Sequence, residues 1–383
     1  TIHYEKYGGF QELLNGVWEV LPEGTPLIGG TVAGFMNNYG CFTRGATALT
    51  VAYPNMDVAV GIGHDTKKNP RKAVSECAAM IKSNLRHKYR GKLMIDIVSG
   101  AKILNLPKMG RVRVVKGSIP SKLLIKLSDI SLTKLQYGVG REEEILDALV
   151  EEFPDYVIIG GSSMDSNDMI ENYQFFNRKV YTNSIVSLAI NIDYQVDLNT
   201  TYGLKRTNIK FKITKKSGQG RIIEEIEGKP AVDVFLERIA WPYDFIDERI
   251  YRRTFFTPFG YWKDGILFPN VIGAFLGKSI GCGYKIEEDE IYLLYASGES
   301  LLDAVDENLK KFKGKDIKFA IIVSCAARLE TLGKNIFTVR DKLIDFFGEK
   351  EFLLIYAGGE DSYSRENGKR HLNESFNVAV VHS

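Results

Sequence analysis

No apolar run in this chain approaches the ~18 residues that a bilayer-crossing helix needs. The first dozen residues, Thr1 to Glu12, hold no basic segment followed by an apolar core. Neither a secretory leader nor a membrane anchor is expected, and the chain reads as cytoplasmic. Cysteine is scarce: Cys41, Cys77, Cys282 and Cys325 form no C-x-x-C pair. That argues against a structural zinc site and, without a leader, against a disulfide framework. The five histidines, His3, His64, His87, His371 and His382, are scattered without ligand spacing. Neither H-E-x-x-H nor a G-x-S-x-G elbow occurs, so no metal or cofactor is expected. Net charge is nearly absent: 50 basic and 48 acidic residues leave +2. A dedicated nucleic-acid partner would call for a more basic chain; a neutral or zwitterionic small molecule suits this balance better.

Glutamine is sparse while Ile, Lys, Glu and Tyr are plentiful, a bias that fits a thermophile. Residues 273–279 fall one short of a Walker A loop and run into Ile280-Gly281-Cys282-Gly283, not a helix, so nucleotide binding there is not expected. The aromatic stretch of Tyr243, Phe245, Tyr251, Phe255, Phe256, Phe259, Tyr261 and Trp262 reads as packing, with base stacking as the alternative.

The 383 residues, 44% hydrophobic and 26% charged, have an ordinary globular composition and a length suited to two domains or one duplicated unit. A pattern recurs: an apolar strand, a Gly-Gly pair, a polar loop and a second apolar stretch. The copies begin at 26–30 (Gly29, Gly30), 156–161 (Gly160, Gly161) and 353–359 (Gly358, Gly359), and lead to 48–52, 186–190 and 378–381. Glycine there supplies a sharp turn or a close approach. The intervening segments also match. Strand 57–61 and helix 70–89, capped by Asn69 with Pro70 at its first position, correspond to strand 290–296 and helix 300–312, where Ser300 and Asp303 resemble a capping box. Strand 92–99 corresponds to 317–324, and helix 142–153 to 336–347. The expected fold is α/β (mixed α+β), internally duplicated, with two mixed sheets packed together and helices outside in an αββα arrangement. Two segments break the symmetry. Residues 101–140 read as a long hairpin whose first part carries Lys102, Lys108, Arg111, Arg113, Lys116, Lys122 and Lys126, a solvated face or an anion-attracting one. Residues 194–270 link the halves through strands at 208–215 and 221–226 and a helix opened by Pro230.

Several ordered segments resemble the FIST domain family. They are IGGTVAG at 28–34, GGSSMD at 160–165, EEIEGKPA at 224–231, PFG at 258–260, SCAAR at 324–328, GGE at 358–360 and HLNES at 371–375. Ala327 stands where the family has glycine, and Gly30 and Phe35 replace its usual Cys and Glu. The resemblance implies a FIST N-terminal part at 1–200 and a C-terminal part at 201–383, interlocked. It also implies an intracellular sensor that binds small ligands such as amino acids. As a stand-alone version, it would act through an unknown signalling partner.

The pocket is expected between the halves, lined by Ser162, Asp165, Cys325, Arg328, Glu360, His371 and Asn373. Arg328 can grip a carboxylate, while Glu360 or Asp165 can meet an ammonium; alternatively Arg328 and Glu360 pair and brace the fold. His371, Asn373 and Ser375 alternate along a strand and should share a side. Two other readings stay open. One is an enzyme with Cys325 as nucleophile and His371 as base; the other is a scaffold for a signalling protein.

Overall fold

Two six-stranded sheets with one shared strand pattern form the centre of the protein. The computed structural model describes residues 8–383 except 104, 107–109, 112, 166–168 and 248, and leaves aside the side chains of 105, 106, 110, 111 and 251. His3, Lys108 and the Arg111 side chain lie outside the described residues. The first sheet runs Gly368–Leu372, Glu360–Ser364, Val157–Ser163, Gly91–Ser99, Ser184–Ile192, Met56–His64. The second runs Gly40–Phe42, Gly34–Asn37, Glu351–Ala357, Ile317–Cys325, Phe376–His382, Gln195–Thr201. In each, one parallel pair sits between the third and fourth strands, and every other pairing is antiparallel.

The first two strands of each sheet are a hairpin from the other half of the chain. Hairpin 360–372 pairs onto Val157–Ser163, and hairpin 34–42 onto Glu351–Ala357. The common pattern is compatible with duplication. It also corrects one correspondence. The partner of strand Met56–His64 is Gln195–Thr201, not Glu290–Ala296, which belongs to a third sheet. Residues 204–296 fold largely among themselves, so adjacency to the next helix misleads.

The layers follow from where the apolar side chains fall. Leu93, Ile159 and Ile190 of the first sheet meet Phe319, Ile321 and Ala379 of the second. Helices Pro70–Asn84 and Glu142–Glu152 cover the first sheet's outer face; Gly298–Lys310 and Ile336–Phe347 cover the second's. Strands such as Ile317–Cys325 are buried on both faces, which explains their unbroken apolar runs. The architecture is a mixed α/β, αββα stack.

The third sheet wraps Phe211, Phe235, Phe259 and Phe275. Phe255, Phe259 and Tyr261 of the aromatic stretch are buried. Residues 273–279 form a hairpin between strands Ile272–Leu276 and Ser279–Cys282, with Gly277 at φ 64°.

Local signals hold with adjusted ends. Asn69 accepts from the Lys72 N–H at 3.2 Å, but the helix stops at Asn84. The N–H groups of Arg86 and His87 turn to Asp57 Oδ2 at 2.6 and 2.7 Å instead. Helix Gly298–Lys310 is capped one turn earlier than expected, by Ser297 with Ser300 as its reciprocal partner. Residues 48–52 form no strand. Residues 101–140 are not one long hairpin: helix Ser118–Ile130 occupies part of them, with Ile119, Leu123, Leu127 and Ile130 exposed. No described helix is long and apolar enough to cross a membrane.

Candidate functional site

Gly160 lies between Asp96 and Asp361, one on each neighbouring strand in direct register. A Cβ on Gly160 would sit 2.3 Å from Asp96 Oδ1. Its absence makes room for carboxylates on a middle strand, with Asp96 and Asp361 both fully buried. Burial first, and the Asp361 charge second, push Asp96 well above the usual carboxylate range. Asp361 in turn holds His371: Oδ1 is 2.6 Å from Nδ1. Burial alone would lower the imidazole's pKa. Asp361, joined by Glu142 and Glu143, outweighs it and raises His371 to about 9. These carboxylates favour the imidazolium form.

His371 faces a cavity of about 30 Å³ where the first sheet meets the third. That volume holds roughly one to three water-sized groups. Its lining includes Glu142, Ser162, Met164, Met169, His371 and Asn373, with the backbone of Gly283, Gly358 and Gly359. Glu142 opens helix Glu142–Glu152, is 4% exposed, and receives the Ser162 hydroxyl on Oε1 at 3.2 Å. Its Oε2 has no hydrogen-bond partner. Glu143 forms an ion pair with the buried Arg221, which precedes strand Ile222–Ile226 of the third sheet. Burial raises Glu143 while Arg221 opposes the shift. Asn373 is held by its own Oδ1, which accepts from the Val271 N–H at 3.2 Å. Gly359 must be bare, since a Cβ there would lie 2.9 Å from His371 Cε1. Tyr284 stacks edge-on to the imidazole at 5.6 Å. Nearby, buried Lys67 donates to Gly100 O at 2.8 Å and to Ser99, and burial pushes it down to about 8.

Three of the residues expected in a pocket, Ser162, His371 and Asn373, line this one. Four do not. Asp165 spends its carboxylate on the N–H groups of Met169, Ile170 and Glu171. Arg328 is 1% exposed and donates to Tyr202 O and Leu301 O at 2.8 and 2.9 Å. Among the described residues it grips no carboxylate, and no ion pair joins it to Glu360. Glu360 accepts from Ser375 N and Oγ at 3.1 and 2.9 Å and is pushed up to about 8 by burial. Cys325 packs with Phe255 and Ala327, and burial, then Glu360 and Glu374, raise its thiol far above the ordinary value. Such surroundings disfavour the thiolate that nucleophilic attack needs. Strand Gly368–Leu372 ends before Asn373, and Glu374 has φ 60°. The expected alternation therefore breaks, and Ser375 turns to Glu360 while His371 faces the cavity. Of the glycines, Gly29 and Gly30 end the short strand Ile28–Gly30, and a Cβ on Gly161 would meet Gly359 O at 2.4 Å.

Glu142, Glu143, Asp96, Asp361 and Lys67 were not singled out from sequence. One signal was available: Asp96 is the lone acid inside the apolar run Leu93–Val98, and buried acids are rare unless partnered.

The FIST N domain family matches residues 2–229, more than half of the chain. The chain belongs to the FIST family. Among curated proteins, this FIST chain is similar to the uncharacterized protein MJ1623 of Methanocaldococcus jannaschii, 24% identical over 264 residues. The alignment covers 68% of the chain and 45% of that relative, so the chain spans under half of the relative's length. The matched FIST N region supplies Glu142, Ser162 and Met164; His371 and Asn373 come from beyond it.

Proposed function

We propose that this FIST protein is an intracellular sensor that binds a small zwitterion, such as an amino acid, in the cavity at His371 and signals through a protein partner. One observation carries the reading: three family-like segments, one near residue 162 and two flanking the hairpin 360–372, converge on one cavity, as Ser162, the Gly358–Gly359 pair, and His371 with Asn373. The imidazolium suits a ligand carboxylate. Glu142 suits an ammonium, and backbone at bare glycines suits close approach. The cavity is smaller than an amino acid, so occupation requires its walls to shift; Met164 and Met169 are the adaptable side chains there.

A thermal-shift panel of amino acids and small organic acids tests this. A ligand at 100 times its Kd stabilises by about 2.7 kcal/mol, so at least one compound should raise the midpoint. Asn373→Ala and Ser162→Ala should each weaken that compound about tenfold or more. A panel without a hit, or a hit untouched by both substitutions, overturns the reading.

A further inference from the structure

We infer that Glu142, Glu143 and His371 form a binding site for a divalent transition-metal ion on the wall of the same cavity. One ligand atom from each lies within 4.8 Å of the others. Bonds of about 2.0–2.2 Å to a zinc-like ion place ligand atoms roughly 3–3.5 Å apart. Small side-chain rotations close that difference.

Two independent features point to an ion. The first is unmet bonding capacity. Glu142 is 4% exposed and faces the cavity with Oε2 unpartnered. Glu143 is divided the same way: Oε1 meets Arg221 and Oε2 has no partner. Leaving a buried carboxylate oxygen bare is costly; a shared cation satisfies both oxygens at once.

The second feature is orientation. His371 Nδ1 is fixed by Asp361 at 2.6 Å. Nε2, beside Gly359 on the cavity lining, is left as the ligating atom. Metal-binding histidines are held by carboxylates in this way. The donor set of one imidazole and two carboxylates suits Zn²⁺, Co²⁺ or Mn²⁺ better than Ca²⁺ or Mg²⁺, which favour all-oxygen shells. With three protein ligands, a coordination position stays open for water or a ligand carboxylate. Ion entry displaces the Nε2 proton. Scattered histidines gave no spacing signal because only the fold brings residue 371 to residues 142 and 143.

The inference shares the sensor's cavity but needs no organic ligand. The test uses the full chain, freed of metal by chelator and titrated with ZnCl₂ by calorimetry and with CoCl₂ by visible absorption, in the absence of amino acids. A single site per chain and a cobalt ligand-field band are expected. Glu142→Gln, nearly isosteric, should lower zinc affinity by about 100-fold. Asp361→Asn, which reaches the ion only through His371, should lower it by about 10–100-fold. Circular dichroism of both variants establishes that they fold; a Glu142→Ala variant replaces any that does not. No heat and no cobalt band at millimolar metal overturns the inference, as does a folded Glu142 variant that binds like the wild type. The amino-acid panel repeated on the metal-free chain separates the two proposals: a hit there without metal binding leaves the sensor standing and removes the ion, and the converse pattern does the reverse.

Discussion

Glu374 gives the protein a pH response opposite to that of most carboxylates. It is fully buried in a left-handed conformation at φ 60°, with neither side-chain oxygen hydrogen-bonded. Burial pushes it from 4.5 up to about 8; Arg328 opposes this and Glu360 adds to it. Between pH 4.5 and 8 the unfolded chain releases this proton and the folded chain keeps it. Folding stability attributable to this group therefore falls as pH rises across that window. Glu374→Gln removes the titration at nearly constant shape. Urea unfolding should find the variant close to wild type near pH 4.5 and more stable at pH 8, by an amount on the order of 4 kcal/mol. Equal differences at the two pH values would refute the assignment. The same environment acts on Cys325, whose thiol is buried beside Glu360 and Glu374, both of which oppose its ionisation.

Elements carry their own stop and start signals, and these differ in how local they are. Ser297 caps helix Gly298–Lys310: its Oγ accepts from the Ser300 N–H at 3.1 Å, and Ser300 Oγ accepts from the Ser297 N–H at 3.0 Å. Ser297→Ala should destabilise the protein by about 1 kcal/mol, read as a lower urea midpoint with an unchanged slope. A shift indistinguishable from that of an exposed control such as Glu299→Ala would show the cap to be idle. Caps and amphipathic faces of this kind were legible in sequence, as at Asn69 and Pro70, because they depend on residues within one turn. The doubled strand–helix–strand order read from sequence is compatible with the two sheets, but its pairing of strand 57–61 with 290–296 failed, because sheet membership is not a local property. Element ends set by distant residues were not legible either. Beyond helix Pro70–Asn84 and its cap Leu85, the N–H groups of Arg86 and His87 go to Asp57, far back in the chain. The site divides along this line too. Ser162, His371 and Asn373 were marked by short motifs. Glu142 and Glu143 looked like ordinary acids opening a helix, and Arg328 looked like a ligand grip because sequence does not reveal that carbonyls at 202 and 301 claim it.

At the scale of the whole molecule, the exchanged hairpins decide what can fold alone. Strand Val157–Ser163 takes its antiparallel neighbour from residues 360–364, and Glu351–Ala357 takes its own from residues 34–37. Cutting the chain at residue 200 strips each sheet of a hairpin and exposes an apolar strand edge, a template for aggregation. It also bares the face where Leu93 and Ile159 meet Phe319 and Ile321. The fragments 1–200 and 201–383 should therefore be insoluble or unstructured when produced separately. Co-produced, they should copurify as a one-to-one complex with native-like circular dichroism. The site gives a second reading of the same experiment. Glu142 and Ser162 lie on one fragment, and His371 and Asn373 on the other, so ligand or zinc binding should appear only in the complex. A fragment 1–200 that is monomeric and melts cooperatively would show that the exchange is dispensable. Failure of binding in an otherwise native complex would instead place the fault in the site, because the interlock alone brings its two sides together.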